Sequence, residues 1–212
     1  MYNPKAFQID DPEVAAEFMR RHSFATIVTS AGAAPQASHV PFIVDTSDPG
    51  LPILHAHFAK ANPQWRDFDG EHEALVIFQG PHGYVSPSLY EVHPAVPTWN
   101  YQAVHAYGIP HLVEDAAETR AHVLALIRHF EAERPNPWHA GLPEDYLQGR
   151  LREVVAFRLQ VDRVEAKFKL SQNRPGNDRK IVTSAFEASP DPATQALGQA
   201  MRAAPRLPRS TA

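Results

Sequence analysis

The sequence contains no cysteine, which excludes disulfides, thiolate metal sites, iron–sulfur clusters and a catalytic thiol together. It also lacks an excess of positive charge: 20 Lys and Arg stand against 24 Asp and Glu, for a formal net charge of −4. A protein that coats nucleic acid needs a basic face to release counterions from phosphate, so the overall charge does not support DNA as a partner. No apolar run approaches the roughly 18 residues that cross a bilayer, and the opening "MYNPKAFQIDDPEV" has neither a basic start followed by an apolar stretch nor a small-residue cleavage site. The expectation is a cytoplasmic protein without membrane association. GxGxxG, a Walker loop and GxSxG are all missing, so a Rossmann fold, a P-loop enzyme and an α/β-hydrolase lose their fingerprints.

What is present suits one large domain with a small appendage: 212 residues, of which 43% are hydrophobic. A chain of this length buries roughly 70% of the surface it exposes when unfolded. Asp11-Pro12-Glu13 reads as a cap, a first-turn proline and a first-turn acid, and Val14, Ala15, Phe18 and Met19 follow at helical spacing to about Arg21. "FATIVTS" and "QASHVPFIVD", joined by a small-residue turn, predict a hairpin, and Leu51–Phe58 another strand. Asn62-Pro63 opens a short helix and Glu73–Phe78 is a buried strand. Pro81, Pro87, Pro94 and Pro97 then shape a long loop before a strand over Trp99–Tyr107. Glu114–Glu133 carries the apolar stripe Val123, Leu124, Ile127 and Phe130, a helix ended by Pro135 and Pro137. Val154–Phe168 predicts one long strand whose alternation slips near Asp162-Arg163; a bulge there implies a closed or nearly closed sheet. Ala193, Leu197 and Met201 mark a last helical pattern, and the tail "AAPRLPRSTA" reads as disordered.

Three segments concentrate aromatic and polar side chains between shaping prolines: "HAHFAKANPQW", "GPHGYVSPSLY" and "VPTWNYQAVHAYG". Such mixtures build pockets with flat walls and polar fingers, and they also build plain loop caps over a barrel end. His55 and His57 share one face of their strand, a spacing seen in metal sites, but no nearby carboxylate completes a facial triad and there is no HExxH helix, so no metal is expected. Lys60 stands at a strand-to-helix junction, where a cation and backbone N–H groups often hold phosphate. "KFKLSQNRPGNDRK" gathers Lys167, Lys169, Arg174, Arg179 and Lys180 against one Asp; it suits phosphate, a partner or DNA on one side and a solvated loop on the other. The only strong helix lacks the partner that a helix-turn-helix requires. His39, His57 and Tyr101 are the available acid–base groups, and nothing in the sequence singles out a catalytic residue.

Together these segments resemble the PaiB-type FMN-binding negative transcriptional regulators of bacteria. The resemblance runs from Met1 to about Lys180 and rests on "HVPF", "HFAKANPQW", "GPHGYVSPSLY", "VPTWNYQAVHAYG" and "KFKLSQNR", with Leu89 where Trp is expected and Lys60 where Arg is common. It implies an α+β, mainly β, fold: an FMN-binding split β-barrel with peripheral helices like that of pyridoxamine-phosphate oxidase, over residues 1–180, with residues 181–212 as a helical extension and tail. It implies a homodimer with flavin sites at the interface. Carried onto this sequence, Ser38, His39 and Val40 lie beside the flavin ring and Lys60 grips the phosphate with His57 nearby. Thr98, Trp99 and Asn100 add contacts, and Lys169, Ser171 and Gln172 reach the site from the end of the last strand. A flavin-dependent oxidoreductase acting on a small molecule is the alternative, since one fold hosts many activities, and haem held by histidine is a third.

Overall fold

A computed structural model describes residues 1–204 apart from 33, 133, 139 and 140. In chain order the elements are β1 (Gln8–Ile9), α1 (Pro12–Arg21), β2 (Phe24–Thr29), β3 (Gln36–Pro41), β4 (Ile43–Asp45), β5 (Ile53–Ala59), β6 (Ala74–Val85), β7 (Thr98–Gly108), β8 (Pro110–Leu112), α2 (Ala116–Glu131), α3 (Glu144–Leu151), β9 (Val154–Gln160), β10 (Arg163–Lys169), α4 (Gly176–Glu187) and α5 (Pro192–Ala203). They form two compact units. The first takes Met1–Asp11, Gln79–Val104 and Glu165 onward; the second takes Pro12–Phe78 and His105–Val164. Strands β6 and β7 run through both.

The second unit is built on aromatic packing. Phe42, Phe58, Phe78 and Phe157 are fully buried, with ring centroids 4.9 Å apart for Phe58 and Phe157 and 5.9 Å for Phe42 and Phe78. Phe42 owes its place to Pro41, which has no N–H to continue the ladder of β3. The chain leaves the β2–β3 hairpin there, the Phe42 N–H donates to the Ser23 carbonyl at 2.8 Å, and β4 starts a different sheet. That sheet is antiparallel in the order β4-β5-β9-β8, while β2 lies between β3 and the first half of β6. The apolar side of α1, with Ala15, Ala16, Phe18 and Met19, is buried.

The slip in alternation after Val161 has a different cause from the expected bulge. Strand β9 ends at Gln160, the Val161 and Asp162 N–H groups bond to the carbonyls of Pro52 and Tyr107, and β10 restarts at Arg163 in the other sheet. A change of sheet resets side-chain parity just as a bulge does. The expected closure is corrected accordingly: both sheets are antiparallel and open, with β4 and β8 as free edges of one of them. Helix is also as abundant as strand, so the α+β class stands with less weight on β than the sequence implied.

In the first unit the strand order is β1-β10-β7-β6, and an α4–α5 hairpin packs on the sheet. Gly83 lets β6 meet that hairpin closely, because a Cβ there would sit 3.0 Å from Leu197 and 3.4 Å from Phe186. Helix α4 replaces much of the basic loop read from the sequence, and position 180 falls inside it. Its Pro175-Gly176 start and polar first turn hide the apolar positions Val182 and Phe186 that follow. Helix α3 was likewise unmarked, with Leu147 its one buried residue. The tail from 205 lies outside the described residues.

The tightest backbone approach in the second unit is at Gly108, where an added Cβ would lie 2.0 Å from the Gln160 carbonyl oxygen and 2.9 Å from Leu159. Gly108→Ala is therefore expected to destabilise the protein by about 3 kcal/mol. The urea midpoint measures this, and an unchanged midpoint would show that β7 and β9 can separate at low cost.

Candidate functional site

In the second unit the strand alternation decides what β3 offers. Ser38 and Val40 share one half-buried face, and His39 points the other way, exposed, with its Nδ1 2.8 Å from the Thr26 hydroxyl and its ring stacked on Phe24. Because β3 pairs with β2 alone, alternate residues along it turn their N–H and C=O groups away from the sheet.

A polar network not anticipated from the sequence fixes the segment after β5 against this hairpin. Asn62 Nδ2 donates to Ser38 Oγ at 2.8 Å, while Asn62 Oδ1 accepts from the Gln64 N–H and caps the short helix Pro63–Asp67. Gln64 is buried, with Nε2 3.2 Å from the Ile27 carbonyl, the Thr29 hydroxyl and the Gln36 carbonyl. Thr29 and Gln36 in turn donate to Asp67 at 2.6 and 3.1 Å. Lys60 is held by its backbone: its N–H donates to the Glu153 carbonyl at 2.7 Å and its carbonyl accepts from the Trp65 indole at 3.2 Å. Its side chain is exposed. The Asn62-Pro63 pair was the one sequence signal for this network, and it marked the helix start without showing the partners.

His57 has a neighbour that no motif suggested. Its Nδ1 lies 3.4 Å from Nε2 of His122 on α2, and the His55 ring is 6.4 Å from the same imidazole. Asp45 is 3.8 Å from His55, and Arg158 also acts on it. Among the described residues no group of three or more His, Asp or Glu is arranged to hold a metal ion.

The first unit holds the remaining expected residues. Lys169 Nζ donates to the Thr98 hydroxyl and, at 2.9 Å, to the Trp99 carbonyl. Asn100 is fully buried: its Nδ2 donates to Ser171 Oγ at 2.9 Å, and its Oδ1 has no partner. Ser171 takes a left-handed φ of 60°, which costs a non-glycine residue on the order of 1 kcal/mol. Gln172 folds back, accepting from the Leu170 N–H at 2.7 Å and donating to the Phe168 carbonyl. These bonds brace the end of β10 against β7.

The basic stretch is turned mostly inward. Lys167 is buried between the rings of Tyr2 and Tyr101, at 5.4 and 5.3 Å, and donates to the Tyr2 carbonyl at 2.8 Å. Arg174 lies 4.2 Å over Tyr90, and the buried Arg179 donates to the carbonyls of Met201 and Ala204 at 2.7 and 2.6 Å. Only Lys180 of the five cations is fully exposed. The segment is thus neither a solvated loop nor an open basic patch.

These sheets and their connections place the protein in the split-barrel fold class. A FAD- and haem-binding protein from Mycobacterium smegmatis superposes with a TM-score of 0.58 at 18% identity, covering 76% of this chain and 73% of that one. The flavocytochrome Anf3 from Azotobacter vinelandii does so with 0.56 at 15%, covering 80% and 70%. At these identities the likeness is one of fold. Residues 1–163 match the family model described as "Putative FMN-binding domain", and the chain belongs to that family, whose cofactor is FMN. It is 36% identical over 203 residues to "Protease synthase and sporulation protein PAI 2" of Bacillus subtilis, covering 95% of this chain and 96% of that protein.

The three histidines make the second unit acid-sensitive. Burial, then the imidazoles of His57 and His55, hold the His122 pKa down to about 4, and burial lowers His55 and His57 as well. In the unfolded chain each titrates near 6.5. Between about 6.5 and 4 the unfolded state binds more protons, so stability falls as pH falls through that window. The drop in urea midpoint from pH 7 to pH 5 is expected to be smaller in His122→Leu than in the wild type; equal drops would place the acid sensitivity elsewhere.

Proposed function

We propose that the protein is an FMN-binding regulator of the PaiB type, a cytoplasmic homodimer in which bound flavin sets the surface offered to its target. The observation that carries this reading is the 36% identity to the B. subtilis protein over 95% of the chain, which extends past the family model into β10, α4 and α5. When bound, FMN supplies a ring that takes up and returns electrons. The second unit has the groups to hold it. Lys60 presents an exposed ammonium suited to the phosphate, and Ser38, whose oxygen already accepts from Asn62, retains its hydroxyl hydrogen to donate. The outward N–H and C=O groups along Ser38, His39 and Val40 suit the polar edge of the ring. Phe24, 69% exposed beside the free edge of β3, is apolar surface that a second copy would cover.

DNA is a weaker target in this reading than a protein, because the most basic stretch is turned inward and the net charge is −4. The alternative of a flavin oxidoreductase is favoured by one feature, the open aromatic and cationic face of the first unit. Two assays separate the readings: oxidation of NAD(P)H by the FMN-loaded protein, and a salt-sensitive shift of promoter DNA.

Dialysis of the protein with FMN is expected to leave flavin absorbance with the protein. Lys60→Ala is expected to lower FMN affinity by about tenfold or more, as loss of a charge-assisted bond to phosphate does, with thermal stability unchanged. Equal affinity would remove Lys60 from the site, and a protein that retains no flavin would remove the reading.

A further inference from the structure

The odd-numbered residues of β7 and β10 share the side of the first unit's sheet opposite the α4–α5 hairpin. Trp99 and Tyr101 stand on β7, and Lys167 and Lys169 on β10. Past the parity change at Pro81, β6 adds His82 and Tyr84 to the same group, with ring centroids 6.3 and 6.0 Å from Trp99. Trp99 is 54% and Tyr84 51% exposed, large aromatic surface for one patch of sheet.

Cations border this wall, and among the described residues Lys167, Lys169 and Arg174 form no ion pair. Lys167 is buried against two tyrosine rings and a carbonyl, Arg174 rests on Tyr90, and among the described residues Lys169 bonds only to the Thr98 hydroxyl and the Trp99 carbonyl. Glu165, the acid on the same side, is paired with the Met1 amine. Burial, Lys167 and Arg174 all lower the Lys169 pKa. An ammonium has three N–H donors, so Lys169 keeps one after its two described bonds. Three neighbouring cations with no ion pair among the described residues are costly to assemble unless a ligand neutralises them.

We infer that this face binds a small planar aromatic anion, a carboxylate or a phosphate ester, with Lys169 on the anionic group and Trp99, flanked by His82 and Tyr84, against the ring. The inference rests on the flavoprotein reading for its purpose, since such an anion would be the molecule that meets or senses the flavin. The wall supplies stacking and a cation-bordered edge. The flavin phosphate is assigned to Lys60, which leaves the positive charge of the first unit for a second anion.

The full-length protein, with and without FMN, is titrated calorimetrically with 1-naphthoate, 1-naphthyl phosphate and the neutral 1-naphthamide. At least one anion is expected to bind about tenfold or more tightly than the amide, and Lys169→Met is expected to erase that preference while Trp99→Ala weakens all three ligands. Thermal melting checks that each variant is folded. Equal binding of anions and amide, or an unchanged preference in Lys169→Met, overturns the inference. Displacement of the naphthyl anion by FMN overturns it too, by giving this face to the flavin itself. No saturable binding, with Trp99→Ala converting a dimer to a monomer, gives the face to a second copy. FMN retention is measured separately: naphthoate binding without FMN binding would sink the flavin reading and leave the anion site standing.

Discussion

The constraint on which most of this structure depends is the unbroken alternation of β7. From Thr98 to Gly108 every even position after the first is buried and every odd one is at least partly open. That rule sends Asn100 inward to the Ser171 hydroxyl and Trp99 and Tyr101 outward beside the lysines of β10. Farther along the same strand it brings the Gly108 backbone hard against Gln160 and presents Tyr107 to Arg163, whose guanidinium lies 3.6 Å from the ring centroid. A slip of one residue would exchange the two sets. The wall of one unit and the close packing of the other are thus outcomes of a single register.

Buried polar groups set the second level of order. Gln64 offers two N–H donors to three oxygens, and among the described residues its own Oε1 and the Oδ1 of Asn100 have no partner. An unsatisfied buried acceptor costs about 1–3 kcal/mol, so the arrangement has to be repaid by what it positions. Around Gln64 that is the Ser38 hydroxyl and the Lys60 backbone, joined through Asn62 and Trp65. Around Asn100 it is the left-handed Ser171, which ends β10 just after Lys169. In each unit a buried amide stands behind a residue that the flavin family resemblance marks as a contact.

The sequence made most of this legible where local pattern decides. Helix α1, the β2–β3 hairpin, β7 and α2 follow from caps, β-branched runs and periodicity, and the structure reproduces them within a few residues. The slip at Asp162 was legible as a fault but not as its cause, because a bulge and a change of sheet leave the same trace in the side-chain pattern. Helix α4 was hidden by a proline, a glycine and a polar first turn. Among the expected site residues, Ser38 bonds to Asn62, two positions after Lys60, and Thr98 and Trp99 bond to Lys169. His57 meets His122, a residue 65 positions away that no motif singled out.

The basic stretch shows why charge in a sequence does not equal charge on a surface. Lys167 looks solvated beside Lys169, yet its ammonium is enclosed by the rings of Tyr101 and of Tyr2, 165 residues distant. Aromatic faces attract a cation without neutralising it, so the positive potential persists where the cation itself is no longer exposed. A duplex requires a broad run of accessible cations to meet successive phosphates; this unit has a few, recessed and framed by rings. That geometry suits one small anion far better than a polyanion, and it lets a chain with net negative charge keep a local site of the opposite sign.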